Sequence, residues 1–99
     1  MITIHKYPIT FNPIPNKYTI SLPMDAEVLD VQMQGSNLVL WAMIDDNEGE
    51  FRDVTYHIFF TGEKIDRSLA LLHRKTINHH SFILHIFEEI NIFPHPEEE

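Results

Sequence analysis

The chain has no cysteine, and only three glycines and seven lysines and arginines among its 99 residues. Without cysteine there is no disulfide framework and no cysteine-based zinc knuckle, which fits a reducing compartment. The glycines, Gly35, Gly49 and Gly62, stand alone, so no glycine-rich loop is present to cradle a phosphate. No apolar run approaches the ~20 residues that a membrane-spanning helix needs, and no membrane partner is expected. The start, Met1-Ile2-Thr3-Ile4-His5-Lys6, does not read as a charged region followed by an apolar stretch, so it is not expected to be a secretory signal. Seven cations against fifteen Asp and Glu leave a net charge of −8, with an isoelectric point near 5.2. A nucleic-acid binder needs a basic footprint to displace counterions from phosphate, so direct nucleic-acid binding is not expected. The negative charge serves solubility, and it also allows the surface to mimic nucleic acid in a partner's basic groove.

What is present is an apolar fraction of 43% with 11% aromatic residues, enough to build a core. We read residues 1–90 as one β-rich domain and 91–99 as an acidic tail. Prolines at 8, 13, 15 and 23 punctuate short extended pieces and forbid a long N-terminal helix. Ile2 to Tyr7 reads as a strand. Tyr18 to Leu22 alternates apolar and polar residues, the period of a half-buried strand. Glu27 to Gln34 and Asn37 to Ile44 flank Gly35-Ser36 and read as a hairpin. The second of these runs is apolar almost throughout, which places it centrally in its sheet or buries both its faces. Phe51 to Phe60 is aromatic and β-branched, and reads as a strand. Thr61 to Lys64 is a turn. Ser68 to Ile77 fits a helix face as well as a strand, with Asp66 as a cap. Asn78 to Ser81 is a polar turn, and Phe82 to Phe87 is the last strand. The pattern predicts an all-β fold: a small antiparallel sandwich or barrel of about six to seven strands.

Catalytic signatures are missing. Ser21, Ser36, Ser68 and Ser81 lack the strained turn and adjacent base of an activated nucleophile. The seven histidines have no zinc-ligand spacing, and neither a metal nor a cofactor is expected. The acidic run Asp45, Asp46, Glu48, Glu50 has no EF-hand ligand order and reads as an exposed hairpin connection. Its carboxylates, if exposed, make poor general acids. The chain therefore reads as a binding protein and not as an enzyme. The Gly62 turn is the best local candidate for a binding loop. It joins Phe59-Phe60 to Lys64 and Arg67, so apolar surface adjoins positive charge, a combination that suits a nucleotide base and phosphate. Trp41 is a core residue or a stacking platform.

Five stretches in order carry a family resemblance: Lys6-Tyr7-Pro8-Ile9; Leu22-Pro23 with Ala26-Glu27-Val28-Leu29 and Val31-Gln32-Met33-Gln34; Leu40 to Asp45; Tyr56 to Gly62; and His85-Ile86-Phe87-Glu88. From about residue 4 to residue 89 the chain resembles a family of small proteins encoded by bacteriophages and prophages. The resemblance implies that Ser68 to Ile77 is a strand joined to the last one by a tight turn. Two departures stand out: the family's Gly-Thr-Gly-His turn is here Phe60-Thr61-Gly62-Glu63, and its later glycine turn is here His79-His80.

The resemblance also implies a counter-defence role in the bacterial cytoplasm during infection. The first expectation is an oligomeric protein that sequesters a small nucleotide-type host immune signal. Its ligand-binding residues would be Trp41, Arg52, Phe59, Thr61, Gly62, Lys64, Arg67 and Arg74, provided that the basic residues between 52 and 75, Lys75 among them, converge. The alternative is an acidic inhibitor of a host defence or nucleic-acid enzyme, docking through Asp45, Asp46, Glu48 and Glu50. A minor structural phage protein is the third reading.

Overall fold

A computed structural model of the chain describes residues 1–9 and 16–90. It contains seven strands: β1 (Ile2–Ile9), β2 (Lys17–Pro23), β3 (Glu27–Gln34), β4 (Asn37–Asp45), β5 (Phe51–Phe60), β6 (Leu71–His79) and β7 (Phe82–Glu89). All ladders are antiparallel and form two sheets, β1-β4-β3 and β2-β5-β7-β6. The all-β expectation holds. The 68–77 segment corrects in its bounds: β6 begins at Leu71 and runs through His79, so residues 68–70 belong to the preceding loop. The tail expected at 91–99 lies outside the described residues, as do Pro13 and Pro15.

Period-two alternation decides which side chains enter the core. On β4, Leu38, Leu40, Ala42 and Ile44 are buried; Val54, Tyr56 and Ile58 follow on β5, and Leu84 and Ile86 on β7. These inner faces meet in one cluster that also takes Ile9, Leu22, Val31 and Ile77. Burying each large apolar side chain contributes roughly 1.5–3 kcal/mol, so this cluster is the main source of stability. β4 is continuously apolar because it is the central strand of its sheet, with β1 and β3 on either side. Its outward residues are covered too: Val39 is buried, and Trp41 and Met43 are half-buried.

Two tight turns depend on a positive φ. Gly35 (φ 64°) starts the β3–β4 turn, where glycine adopts the left-handed region without steric penalty. His80 (φ 56°) takes the corresponding place between β6 and β7, and it is the only non-glycine residue with positive φ among those described.

Two bulges shape the seam between the sheets. The β3–β4 register shifts between Val28 and Asp30, and the β6–β7 register shifts between His73 and Lys75. A bulge leaves a residue outside the ladder and re-aims its neighbours. Here the Val28 carbonyl accepts from Arg74 Nη2 at 3.3 Å, so the residue displaced in one bulge serves the residue beside the other.

Candidate functional site

The β5–β6 connection starts where β5 leaves the core. The Glu63 amide donates to the Phe60 carbonyl (3.0 Å), and Phe60 N–H donates to Glu63 Oε1 (2.7 Å). Gly62 (φ 95°) supplies the backbone conformation that this closure requires. Further along, Ser68 N–H donates to Asp66 Oδ1 at 2.9 Å, and the Leu69 amide donates to the Asp66 carbonyl at 3.1 Å. The bond from Ser68 N–H holds the Asp66 carboxyl below its ordinary range. Both acids of this loop are thus aimed at backbone N–H groups. Its cations are not engaged: exposed Lys64 and Arg67 have no hydrogen bond or ion pair among the described residues.

Beside the start of this loop lies a groove of about 370 Å³, lined by Phe60, Thr61, Ser81, Phe82 and Ile83. The Phe60 and Phe82 rings stand 5.8 Å apart at 53°, and Phe82 is 55% exposed. The groove therefore has an aromatic wall, hydroxyls at Thr61 and Ser81, and a loop with two unengaged cations leading from its rim.

The remaining residues expected at the site are placed elsewhere. Phe59 is one residue from the groove but faces the opposite side of its sheet, where it is buried against His57 and Phe87. Its neighbour Phe60 is the aromatic in the groove. Arg52 donates from Nε to the Met24 carbonyl (3.3 Å) and from Nη2 to the Ala26 carbonyl (2.9 Å). Eight residue steps of extended strand lead from it to Phe60, roughly 26 Å at about 3.3 Å per step. Arg74 is committed to the Val28 carbonyl and lies 3.6 Å from Glu88. Lys75 pairs with Asp30 at 3.2 Å. Trp41 lies on the outward face of the other sheet, opposite Lys6 in the ladder. The basic residues between 52 and 75 thus do not converge: Lys64 and Arg67 share the loop that leaves the groove and ends at Ala70, whose carbonyl accepts from Ile90 N–H at the far end of β7, whereas Arg52, Arg74 and Lys75 tie the sheets and their connections together. Ser81, Phe82 and Ile83 were not anticipated. Their signal in the sequence is an aromatic residue directly after a tight turn, where a strand end leaves a ring uncovered.

Arg52 and Arg74 also bear on the phenol of Tyr56, which points into the protein. Its hydroxyl is buried and has no hydrogen-bond partner among the described residues. Burial, and then the charge of Glu88, push its pKa well above the ordinary tyrosine range.

The outward face of β5, β6 and β7 carries a second polar arrangement. His57 Nε2 lies 2.8 Å from Glu89 Oε1, and this bond lowers the Glu89 carboxyl from its ordinary range. Beside it, His73 Nε2 meets Thr76 Oγ1 (2.8 Å), Thr76 Oγ1 meets His85 Nδ1 (3.2 Å), and His85 Nε2 meets Thr61 Oγ1 (2.8 Å). Among the described residues no group of three or more histidines and carboxylates is arranged to hold a metal ion.

In the acidic loop, the N-terminal ammonium lies 3.1 Å from Asp45 and 3.2 Å from Asp46. The Asp45 carboxyl is held below its ordinary range, first by the Asn47 amide and then by that ammonium. Two of the four carboxylates expected to meet a basic partner are therefore already paired.

A family model described as a domain of unknown function (DUF7352) matches residues 1–96. No curated protein and no solved structure matches the chain.

Proposed function

The chain belongs to the DUF7352 family of unknown function, and from its own geometry we propose that it is a binding module for a small anionic ligand with an aromatic ring, of the nucleotide type. The observation that supports this most directly is the pairing of an apolar groove, walled by Phe60 and Phe82, with Lys64 and Arg67 on the loop that leaves it. Aromatic walls with a few placed polar groups are the usual composition of small-ligand sites. A planar base would occupy the space against Phe60 and Phe82, with Thr61 and Ser81 hydroxyls on its polar edge. The phosphate would meet Lys64 and, farther along the loop, Arg67; the loop's acids, Glu63 and Asp66, stay charged while they accept from backbone N–H groups. The net charge of −8 opposes an anion at long range. Charges farther away than about 8 Å are strongly screened at physiological ionic strength, so the balance is set locally, by Lys64 and Arg67 against Glu63 and Asp66.

The resemblance to small phage proteins supports a role for such binding: taking a nucleotide-type host immune signal out of circulation. No chemical step is required of the protein in this role. Titration calorimetry against mononucleotides, cyclic dinucleotides and cyclic oligonucleotides tests the reading. Binding is expected for at least one class, and Lys64→Ala with Arg67→Ala should weaken it by more than tenfold. Unchanged affinity in that double variant would remove the site from this loop.

A further inference from the structure

Thr61 belongs to two structures at once: it lines the groove, and its hydroxyl is the last member of the chain His73–Thr76–His85–Thr61. The β6 bulge makes this chain possible. In an undisturbed strand, residues three apart face opposite sides. The register shift between His73 and Lys75 brings His73 and Thr76 onto the same outward face, while Arg74 reaches the other sheet. Thr76 stands opposite His85 in the β6–β7 ladder, and His85 stands opposite Phe59 of β5, two residues before Thr61 in the turn that follows.

The donor and acceptor inventory of these groups couples them. A hydroxyl has one proton, and a neutral imidazole has one N–H and one bare nitrogen. Suppose that His73 carries its proton on Nε2. It donates to Thr76, which donates to His85 Nδ1. His85 must then be protonated on Nε2 and donates to Thr61, leaving the Thr61 proton free for the groove. If His73 Nε2 is bare, every bond in the chain reverses. Thr61 then donates to His85 and offers the groove only lone pairs.

We propose that this relay sets the hydrogen-bonding character of the groove, and that a ligand offering an acceptor oxygen there holds the relay with Nε2 protonated on both His73 and His85. The proposal rests on the groove being the ligand site, and it names the ligand chemistry that the site selects: an acceptor, such as a base carbonyl or a phosphate oxygen, at Thr61. An analogue that offers only a donor at that point meets the reversed relay and shifts His73 to the other tautomer.

Nitrogen-15 correlation spectra of the imidazole side chains, recorded on the full chain, report which ring nitrogen carries the proton. Without any ligand, Thr61→Val should change the tautomer ratio of His73, although two side chains intervene. The same substitution should leave His73 unmoved once Thr76 is valine. A His73 ratio that ignores Thr61→Val in the chain with Thr76 intact overturns the relay. Adenosine 5′-monophosphate is the probe for the second arm. It should drive His73 to the Nε2-protonated form, and Thr76→Val should weaken its binding about fivefold, the worth of one neutral hydrogen bond, with Thr76→Ser restoring it. Binding that Lys64→Ala weakens but Thr76→Val leaves unchanged also overturns the relay, and it leaves the site standing. If neither the nucleotide probe nor its cyclic relatives bind, the site reading fails, and the ligand-free arm still judges the relay on its own.

Discussion

The Lys75 ammonium lies 3.2 Å from an Asp30 carboxylate oxygen, across the seam where β3 and β6 approach without a ladder between them. Burial by itself would raise the Asp30 carboxyl. Hydrogen bonds from Gln32, Lys75 and the Val31 amide outweigh it, and the net shift is downward. An unfolded aspartate titrates near pH 3.9. Because the folded value is lower, the stabilisation is fully present above about pH 4 and is lost as the pH falls further. Both side chains are more than one-third exposed, so the pair is worth at most about 0.5 kcal/mol. Asp30→Asn should lower stability by about that amount at pH 7 in urea unfolding, and the difference from the wild type should close in acid.

Arg74 is expected to matter more. Its guanidinium satisfies the Val28 carbonyl at the bulge and faces partly buried Glu88. Arg74→Ala removes both interactions and leaves Glu88 without its cation. A loss of roughly 2 kcal/mol in urea unfolding is expected. Nucleotide affinity should be retained as long as the β6 bulge persists, because Arg74 does not line the groove.

Tyr56 gives the opposite expectation. Its buried hydroxyl has no partner among the described residues, and such a group contributes desolvation cost and no bond. Tyr56→Phe should therefore leave thermal stability unchanged or raise it, by up to about 1 kcal/mol. A clear loss of stability would show that the hydroxyl is bonded in solution.

His80 occupies a backbone conformation that side-chain-bearing residues rarely adopt (φ 56°). Glycine carries no such penalty there, and His80→Gly should stabilise the chain by roughly 1 kcal/mol. Its effect should appear as a higher melting temperature without any change in binding.

The strands were legible because their alternation is clean. Glu27–Gln34 and Phe51–Phe60 have the bounds that the sequence predicts. Residues 68–79 were harder, since the register shift between His73 and Lys75 breaks the period of two and leaves a pattern that also fits a helix. The resemblance resolved it as a strand but not its ends. Thr61, Gly62, Lys64 and Arg67 of the candidate loop are close in sequence, so a local reading groups them. Arg52 and Arg74 were misplaced because composition shows their charge but not the carbonyls that engage it. Phe59 and Phe60 are adjacent, and strand phase alone separates them. Phe60 is in step with Val54, Tyr56 and Ile58, whereas Phe59 faces outward with His57. The pairing of Thr61 with His85 spans 24 residues of sequence, and no local motif announces it.

The most direct test of the binding site is a backbone amide titration of the full chain with adenosine 5′-monophosphate, followed by nitrogen–proton correlation spectra. Saturable shifts centred on Phe60, Thr61, Lys64, Arg67 and Phe82 are expected of this site, and their loss in the Lys64→Ala, Arg67→Ala double variant. Shifts confined to Asp45–Glu50, or a spectrum that this nucleotide and its cyclic relatives leave unchanged, would contradict it.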